Sequence, residues 1–401
     1  MSRLEELIIE LCPDGVQNYA LKDCCKVLKG KQRNKNELLE EGNYPAYNGG
    51  VTYSGFTNEF NVKEDTTIIS QGGASAGFVQ FITCKFWANA HCYYLEPNLK
   101  IVNNKYLFYY VKNQQSILMD FKHGAGIPAL KSEKIESISI PIPPIEVQNE
   151  IVRILDSYTE LNTKLITELT LELESRRKQY EHYRDELFGK NYDEMLNRCL
   201  KNNIKVITLE ELGKFTRGKR FVRNDIKEEG IPCIHYGDLY TYFGVSTKKT
   251  KCFLDKELSE KMRFAHKGDV VIVQAGENDM DIGIGVAWMG DEDVVVHDAC
   301  YIFEHNINPK YISYYLRTNI YHLQIKKYVS IGKICSISAQ GIGKALIPIP
   351  SLEEQQRIVD ILDKYDVLYK DITRQIQSEI ETRQKQYEYY RDKLLTFKIK
   401  E

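Results

Sequence analysis

The 401-residue sequence lacks long apolar runs and lacks an excess of charge of either sign. No stretch reaches about 18 uninterrupted apolar residues, which argues against a membrane-spanning helix. Lys and Arg number 54 against 56 Asp and Glu, a net charge of −2. This balance excludes a uniformly basic nucleic-acid coat but permits a local basic patch. The first six residues include three charged ones and no signal-peptide core, so we expect a cytoplasmic protein with no membrane partner.

Metal-binding motifs are also missing. The ten cysteines are scattered and no C-x-x-C occurs, which favours reduced thiols in a large cytosolic protein. His297 and Cys300 have the spacing of metal ligands, but one pair cannot hold a metal. We interpret them as a buried pair, and the sequence therefore predicts no metal site.

Motifs of common catalytic sites are absent as well. There is no G-x-x-x-x-G-K-[ST] loop, no Asn/Asp-Pro-Pro-Tyr/Phe run of the amino-methyltransferases and no Ser/His/Asp signature. The glycine-rich stretches 71–77 and 341–344 lack the phosphate-loop spacing. These absences argue against an autonomous enzyme, and a divergent nuclease site is the alternative they leave open.

The sequence does contain an internal repeat. Residues 140–188 match residues 347–395 at a constant offset of 207, and about half of the positions are identical. Fainter matches precede this segment at smaller offsets, so the second copy carries an insertion, mostly within 232–268. The predicted order is domain, helix, domain, helix, with boundaries at 1–144, 145–188, 189–351 and 352–401.

The two predicted helices contain neither Gly nor Pro. Pro143-Pro144 precedes the first, Gly189 ends it, and Ser351 with Glu354 forms a capping box for the second. Apolar residues recur about every 3.7 residues along each helix, which predicts that the helices pair with little supercoil. The predicted seam consists of Ile151, Leu155, Tyr158, Leu161, Leu165, Leu169, Leu173, Ile358, Leu362, Tyr365, Leu368, Ile372, Ile376 and Ile380.

The fold class predicted from this pattern is α+β. It is a tandem duplication of an α/β domain plus a long helix, and the two long helices pair as an antiparallel coiled coil if a two-fold axis relates the repeats.

The far ends of both helices are polar, aromatic and nearly identical, which helix pairing alone does not require. A partner subunit that binds each copy alike would explain the identity, and recent duplication is the alternative. The candidate partner contacts are Arg176, Lys178, Tyr180, Tyr183, Arg383, Lys385, Tyr387 and Tyr390.

Basic residues cluster at matching places in the two domains. Residues 26–35 and 214–223 each hold five Lys or Arg and no acid, and residues 305–352 hold six and no acid. Paired clusters on a duplicated domain favour a shared anionic ligand, and DNA phosphate is the natural candidate. The candidate DNA contacts are Lys31, Arg33, Lys35, Asn48, Gln71, Lys122, Lys131, Arg217, Lys219, Arg220, Arg223, Lys248, Gln274, Lys333 and Gln340.

The arrangement resembles the specificity subunit of type I restriction-modification systems. The resemblance spans nearly the whole chain, and its most specific carriers are two segments of the form Pro-Ile-Pro-(Pro/Ser)-(Ile/Leu)-Glu-x-Gln-x-x-Ile-Val-x-Ile-Leu-Asp, starting at Pro141 and Pro348. Gly268-Asp269-Val270-Val271-Ile272 is also typical of the family. The first domain departs from it, with Glu64-Asp65-Thr66-Thr67-Ile68 at the equivalent place.

The resemblance implies two target-recognition domains that each read one half of a divided double-stranded DNA site, with the helices as a spacer. It implies no catalytic residue and no cofactor on this subunit. Two methyltransferase subunits and two ATP-dependent restriction subunits would be its partners and would carry the S-adenosylmethionine, ATP and magnesium sites.

The residues add that the domains share a scaffold but differ in their loops, so the target should be asymmetric. The alternatives are a divergent nuclease or fused restriction-methylation enzyme and a purely structural coiled-coil protein.

Overall fold

The computed structural model describes residues 2–121 and 129–400. The chain forms two compact units. The first unit comprises Met1–Leu169 and Ser378–Glu401, and the second comprises Thr170–Gln377. Each long helix therefore contributes one part to each unit.

The first unit contains short helices, short strands and the beginning of the first long helix. Its elements are α1 (Arg3–Leu11), β1 (Asn18–Ala20), α2 (Leu21–Cys24), β2 (Cys25–Lys29), a 3₁₀ turn (Lys35–Glu37), β3 (Tyr44–Tyr47), β4 (Gly55–Thr57), β5 (Thr66–Ser70), β6 (Val79–Ile82), β7 (Trp87–Ala88), β8 (Cys92–Pro97), α3 (Asn104–Asn113), α4 (Gln115–Asp120), α5 (Ser132–Glu136), β9 (Ser139–Pro141) and α6 (Ile145–Phe188).

The second unit repeats this order with additions. Its elements are α7 (Tyr192–Lys201), β10 (Lys205–Thr208), α8 (Leu209–Leu212), β11 (Lys214–Arg217), a 3₁₀ turn (Arg223–Asp225), β12 (Ile231–Ile234), α9 (Asp238–Thr241), β13 (Ser246–Thr247), β14 (Cys252–Leu254), α10 (Lys256–Ser259), β15 (Phe264–Ala265), β16 (Val270–Val273), β17 (Ala275–Gly276), a 3₁₀ turn (Asp279–Asp281), β18 (Gly285–Trp288), β19 (Val294–Val296), β20 (Cys300–Glu304), α11 (Pro309–Tyr315), α12 (Asn319–Ile325), a 3₁₀ turn (Lys326–Tyr328), β21 (Cys335–Ser336), α13 (Ala339–Gly343), β22 (Leu346–Ile349) and α14 (Leu352–Leu394).

The sheets of the two units have matching topologies. An antiparallel sheet of order β2-β8-β5-β6 in the first unit corresponds to β11-β20-β16-β18 in the second, where β13 adds a parallel edge. A sheet of order β4-β3-β7 corresponds to β14-β12-β19, where β15 adds an antiparallel edge. The added elements fall within the predicted insertion at 232–268, so the prediction of a common scaffold with different loops is confirmed.

The long helices pack antiparallel within each unit. In the first unit the rings of Tyr158 and Tyr390 stack with centroids 5.7 Å apart. In the second unit Tyr180 stacks on Tyr369 at 5.0 Å, and Tyr183 stacks on Tyr365 at 5.6 Å. Residue numbers rise along one helix as they fall along the other, which confirms the predicted antiparallel pairing.

The last helix is shorter than the predicted range of 352–401. It ends at Leu394, and the segment that follows turns back to pair with the start of the chain. The Val16 N–H donates to the Lys398 carbonyl at 2.8 Å, and the Lys400 N–H donates to the Val16 carbonyl at 2.9 Å. A parallel bridge between Val16 and Ile399 follows the helix, and Leu395, the first residue after it, is buried in the core of the first unit.

A buried glutamine ties each long helix to its domain. Nε2 of Gln148 donates to the Pro143 carbonyl at 2.7 Å, and its Oε1 accepts the Asn103 N–H at 2.7 Å. Gln355, at the equivalent position, repeats this arrangement in the second unit. The repeated Pro and Gln of the sequence motif are therefore explained by hydrogen bonding within each unit.

The repeated aspartate in each long helix has a similar docking role. Asp156 accepts hydrogen bonds from Lys105 at 2.8 Å and from the Tyr109 hydroxyl at 2.6 Å. Asp363 accepts the equivalent bonds from Lys310 and Tyr314. Charge-assisted bonds of this kind fix the angle between the helix and the domain that it leaves.

We expect the second unit to lose stability in acid because it half-buries two histidines. Burial lowers the pKa of His305 and of His322 to about 4. A histidine in the unfolded chain titrates near about 6.5, so the unfolded state binds protons first as the pH falls. Stability should decline from about pH 6.5 downward and lose roughly 3 kcal/mol per histidine by pH 4.

Urea denaturation at several pH values tests this expectation. The chain has two tryptophans, Trp87 in the first unit and Trp288 in the second, so a Trp87→Phe background reports the second unit alone. His305→Asn and His322→Gln should each flatten the pH dependence, while His182→Gln, at an exposed position, should leave it unchanged. If the parent protein and the three histidine variants all show the same pH dependence, the acid sensitivity does not come from His305 and His322.

Candidate nucleic-acid interface

The first basic loop, residues 30–35, follows strand β2 and lies against the turn after β7. The Lys31 N–H donates to the Ala88 carbonyl at 2.9 Å. A Cβ on Gly30 would lie 2.2 Å from the Asn89 carbonyl oxygen, so only glycine permits this approach. The loop therefore leaves the sheet in a fixed direction.

Asn89 holds the first basic loop in place. Its side chain is buried, accepts the Arg33 N–H at 2.9 Å and donates to the Arg33 carbonyl at 2.7 Å. This two-bond contact orders the loop backbone without using any of its cationic groups. No motif around Asn89 marked it in the sequence, because its role depends on a contact with a residue 56 positions away.

The Arg33 side chain is already neutralised. Its guanidinium donates to Glu59 at 2.7 Å and lies 3.9 Å above the Trp87 ring. Its predicted role as a DNA contact stays a prediction, but the pairing leaves the exposed Lys31 and Lys35 as the available cations of this loop.

The second basic loop, residues 217–223, occupies the equivalent place in the second unit. A Cβ on Gly218 would lie 2.2 Å from the His297 carbonyl oxygen, as for Gly30. The Arg217 Nε donates to the Asp298 carbonyl at 2.8 Å, and Lys219 donates to the Lys261 carbonyl at 2.7 Å. These bonds leave both cations exposed at the surface together with Arg220 and Arg223.

His297 holds the second basic loop as Asn89 holds the first. Its Nδ1 accepts the Ala299 N–H at 3.1 Å, so Nε2 carries the proton and donates to the Phe221 carbonyl at 3.1 Å. Burial, helped by neighbouring His235, lowers the pKa of His297 below its ordinary value. Cys300 is fully buried, and its backbone N–H donates to the His297 carbonyl at 3.0 Å.

Removal of the Asn89 side chain should loosen the first basic loop. Asn89→Ala would leave the Arg33 N–H and carbonyl without their partners, at a cost of about 1–3 kcal/mol in the stability of the first unit. Trp87 fluorescence in a Trp288→Phe background would report this loss during urea denaturation. Asn58→Ala, at an exposed position of the same unit, is the matched control, and equal effects of the two changes would count against the anchoring role.

Two equivalent glutamines lie where the central strand of each sheet ends. Gln71 follows β5, and Gln274 follows β16. The main-chain carbonyl of each glutamine accepts a backbone N–H from the segment that precedes the last short helix of its domain. Within residues 2–121 and 129–400, the Oε1 atoms of both are buried without a hydrogen-bond partner. An unsatisfied buried acceptor is costly, so these two Oε1 atoms are an unusual feature that the two domains share at equivalent places.

The remaining candidate DNA contacts lie on the surface of the two domains. Lys122 lies outside the described residues. Exposed candidates elsewhere are Asn48, Lys131, Lys248, Lys333 and Gln340. Lys248 belongs to the insertion and lines a cavity of about 690 Å³ together with Lys310 and Asp363. The predicted contacts themselves stay predictions.

The paired helices form one groove in each unit, and the two grooves are equivalent. Groove 1 is lined by Tyr158, Leu161, Asn162, Leu165, Arg383, Gln386, Tyr387 and Tyr390. Groove 2 is lined by Tyr365, Leu368, Tyr369, Ile372, Arg176, Gln179, Tyr180 and Tyr183. Their volumes are about 280 and 310 Å³. Every lining residue has its counterpart at an offset of 207.

The grooves combine predicted seam residues with predicted partner contacts. Leu161 and Leu368 are 64% and 56% exposed and line the grooves rather than a buried seam. Ile151, Leu155, Ile358 and Leu362 are buried in the domain cores instead. The other seam positions, Leu165, Leu169, Leu173, Ile372, Ile376 and Ile380, are half-buried, while Lys178 and Lys385 are exposed.

Part of the identity at the far helix ends has an explanation within each unit. Arg184 pairs with Asp185 at 2.9 Å, and Asp185 accepts the Asn319 N–H at 3.3 Å. Arg391 donates to the Asn113 side chain at 2.8 Å. Asp185 and Arg391 therefore dock the helix ends. These contacts do not explain why the groove residues are identical in the two copies.

Two features are absent from the described part of the chain. In residues 2–121 and 129–400, no group of three or more His, Cys, Asp or Glu could hold a metal ion. Within the same ranges, no helix has the length and apolarity needed to cross a bilayer.

The sequence matches the family model for the type I restriction modification DNA specificity domain twice, over residues 13–175 and 201–382. The chain belongs to this family. A putative type I restriction enzyme specificity subunit of Haemophilus influenzae is 34% identical, with 90% of each chain covered. The EcoR124I/EcoR124II specificity subunit of Escherichia coli is 29% identical over 99% of this chain and 97% of its own.

Solved structures support the fold of the family. A chain from a study of complex assembly and conformational transition of the type I restriction-modification system superposes with a TM-score of 0.65 and 16% identity, covering 96% of this chain and 98% of that one. The two family-model matches coincide with the duplicated scaffold described above, so the prediction of family and fold is confirmed.

Proposed function

We propose that the chain is the DNA-recognising subunit of a type I restriction-modification complex. Each domain binds one half of a divided double-stranded DNA target. The observation that carries this proposal is the pair of basic loops, which leave the same strand of the same scaffold and are fixed by residues at equivalent positions, the buried Asn89 and the half-buried His297. Exposed cations at such loops bind phosphate oxygens and set the position of the protein on DNA.

The two half-sites differ in this proposal. The second domain carries α9, β13, α10 and β15 between strands whose counterparts in the first domain are joined by shorter connections. Bases are read by side chains that reach the groove edges, and different loops present different side chains. The full target is therefore asymmetric.

The equivalent grooves are docking sites for two copies of one partner, the methyltransferase subunit. Their walls combine tyrosine rings with arginine, a combination that is enriched at protein interfaces. Arg176 and Arg383 are held in the same way, each by a glutamate four residues earlier at 2.8 and 2.7 Å. Two preformed and equivalent surfaces fit two identical occupants.

Catalysis belongs to the partners in this proposal. The subunit itself holds no cofactor, the methyltransferase subunits bind S-adenosylmethionine, and two restriction subunits use ATP and magnesium. The family membership and the absence of a catalytic motif from the sequence support this division.

A substitution in one groove should remove one copy of the partner. Leu368→Lys places a charge in groove 2 and should leave one methyltransferase subunit per chain, as should Leu161→Lys in groove 1, and the double variant should bind none. Val367→Lys is the matched control, because Val367 is 59% exposed next to the groove. Light scattering during gel filtration measures the stoichiometry. Two methyltransferase subunits bound to the Leu368→Lys chain would exclude groove 2 as a docking site.

DNA binding itself is tested on the chain assembled with its methyltransferase subunit. Fluorescence anisotropy should show binding to duplex DNA that weakens steadily as salt rises, because phosphate contacts release counterions. Salt-independent binding, or none, would contradict the proposal. The chain alone should leave DNA intact with Mg²⁺, and cleavage would instead favour the divergent-nuclease alternative.

A further inference from the structure

An exposed apolar tip, residues 330–336, lies in the second unit after the 3₁₀ turn Lys326–Tyr328 and includes β21. Ile331 is 75% exposed and Ile334 is 63% exposed, and Lys333 lies between them. Two large aliphatic side chains exposed this close together form a small apolar patch, and a ligand that covers it gains free energy by removing apolar surface from water.

The base of the tip is rigid. Ser330 and Ser336 exchange backbone hydrogen bonds of 2.8 and 3.0 Å, which close the tip. Strand β21 pairs antiparallel with β17, where Ala275 faces Ser336. Isoleucine is branched at Cβ and has few rotamers, so the projecting side chains are also stiff.

Four exposed lysines, Lys326, Lys327, Lys333 and Lys344, lie near the tip along the chain. Residues 305–352 contain six Lys or Arg and no acid. Lys327 and Lys344 approach the Tyr328 ring to 5.1 and 5.0 Å, close to the tip in sequence and structure. A protein partner would need about 800 Å² of its own surface, which two isoleucines cannot match, whereas a polyanion is complementary to the surrounding charge.

The tip is also connected to the proposed DNA interface of the same domain. The Ile337 N–H donates to the Gln274 carbonyl at 3.0 Å, and the Gln274 N–H donates to the Ala299 carbonyl at 2.8 Å. Arg217 of the second basic loop donates to the Asp298 carbonyl next to it. Residues 298–299 therefore bond to the basic loop on one side and, through Gln274, to the residue that follows the tip and β21 on the other.

We propose that Ile331 and Ile334 form an apolar wedge that inserts at a base step of the half-site read by the second domain. This inference rests on the proposed function. Apolar side chains that enter a base step partly unstack it and kink the duplex, and the surrounding lysines hold the adjacent phosphates. Base steps differ in how easily they unstack, so such a wedge would favour some sequences over others at bases that no polar group contacts.

The test uses the chain assembled with its methyltransferase subunit and the duplex that this assembly methylates. 2-Aminopurine is placed singly at each position except the methylated base, because methyltransferases extrude the base that they modify. The wild-type assembly should raise the fluorescence at one step. The Ile331→Ser, Ile334→Ser double variant should lose that rise, and its affinity should fall about tenfold. The dependence of its affinity on salt should not change, since no phosphate contact is lost.

Leu323→Ser is the control, because Leu323 is 69% exposed on α12 of the same unit, and it should keep the fluorescence rise. Tight binding with no responsive step, or a double variant that keeps the rise, overturns the wedge and leaves the proposed function standing. A double variant that binds DNA normally but loses the methyltransferase subunit also overturns it. A wild-type assembly that binds no duplex overturns both proposals.

Discussion

Gln355→Ala should lower the free energy of unfolding of the second unit by about 3 kcal/mol. Gln355 is 1% exposed, its Nε2 donates to the Pro350 carbonyl at 2.8 Å, and its Oε1 accepts the Asn308 N–H at 3.0 Å. The substitution leaves the two partners unpaired beside a new cavity, and both effects act in the same direction.

The neighbouring glutamine provides the control for this change. Gln356 is exposed and bonds only to surface groups of Asn308 and Asp360, so Gln356→Ala should cost no more than about 0.5 kcal/mol. Urea denaturation followed by Trp288 in the Trp87→Phe background measures both. Equal effects at the two positions would show that the repeated glutamine does not tie the helix to its domain.

Charge reversal at Arg220 should have the largest effect on DNA binding. Arg220 is exposed at the middle of the second basic loop, and Arg220→Glu replaces an attraction to phosphate by a repulsion. We expect an affinity loss of about tenfold to a hundredfold at low salt, and a plot of log affinity against log salt whose slope is shallower by about one.

The control for Arg220 must change the net charge equally at another place. Lys201 is exposed at the end of α7, outside both basic loops, so Lys201→Glu should alter affinity far less. Anisotropy titrations of the assembled complex at several salt concentrations measure both. Unchanged affinity for Arg220→Glu across the salt series would remove Arg220 from the interface.

The sequence was sufficient to predict the large features of the fold. The 207-residue offset revealed the duplication, and the Gly- and Pro-free stretches located both long helices. The sequence also located the end of the first long helix at Gly189, whose φ is +110°. These features depend on local composition and on comparison of the chain with itself, which need no knowledge of tertiary contacts.

The finer features depended on contacts between distant residues. The charge cluster around Arg33 looked free in the sequence, but Glu59 neutralises that guanidinium in the structure. Asn89 carried no motif and yet positions the first basic loop. Leu161 and Leu368 fit the apolar spacing of a seam, and they are exposed in the grooves because periodicity gives the face of a helix but not what covers that face.

The duplication itself offered the most information about function. Positions that agree between the copies, such as Gln148 with Gln355 and Asp156 with Asp363, form the contacts that dock the helices. The segment that differs most, 232–268, contains Lys248 and accepts a hydrogen bond from Lys219 of the second basic loop at the Lys261 carbonyl. A comparison of the two copies thus separates the residues that build the scaffold from those that select a target.

The most direct test of divided DNA recognition is to sequence the methylated bases in DNA exposed to this chain together with its methyltransferase subunit. The differing loops of the two domains predict one motif in two unlike halves, separated by a gap of fixed length and unspecified sequence. A palindromic motif, a gap of variable length or the absence of any methylated motif would contradict it.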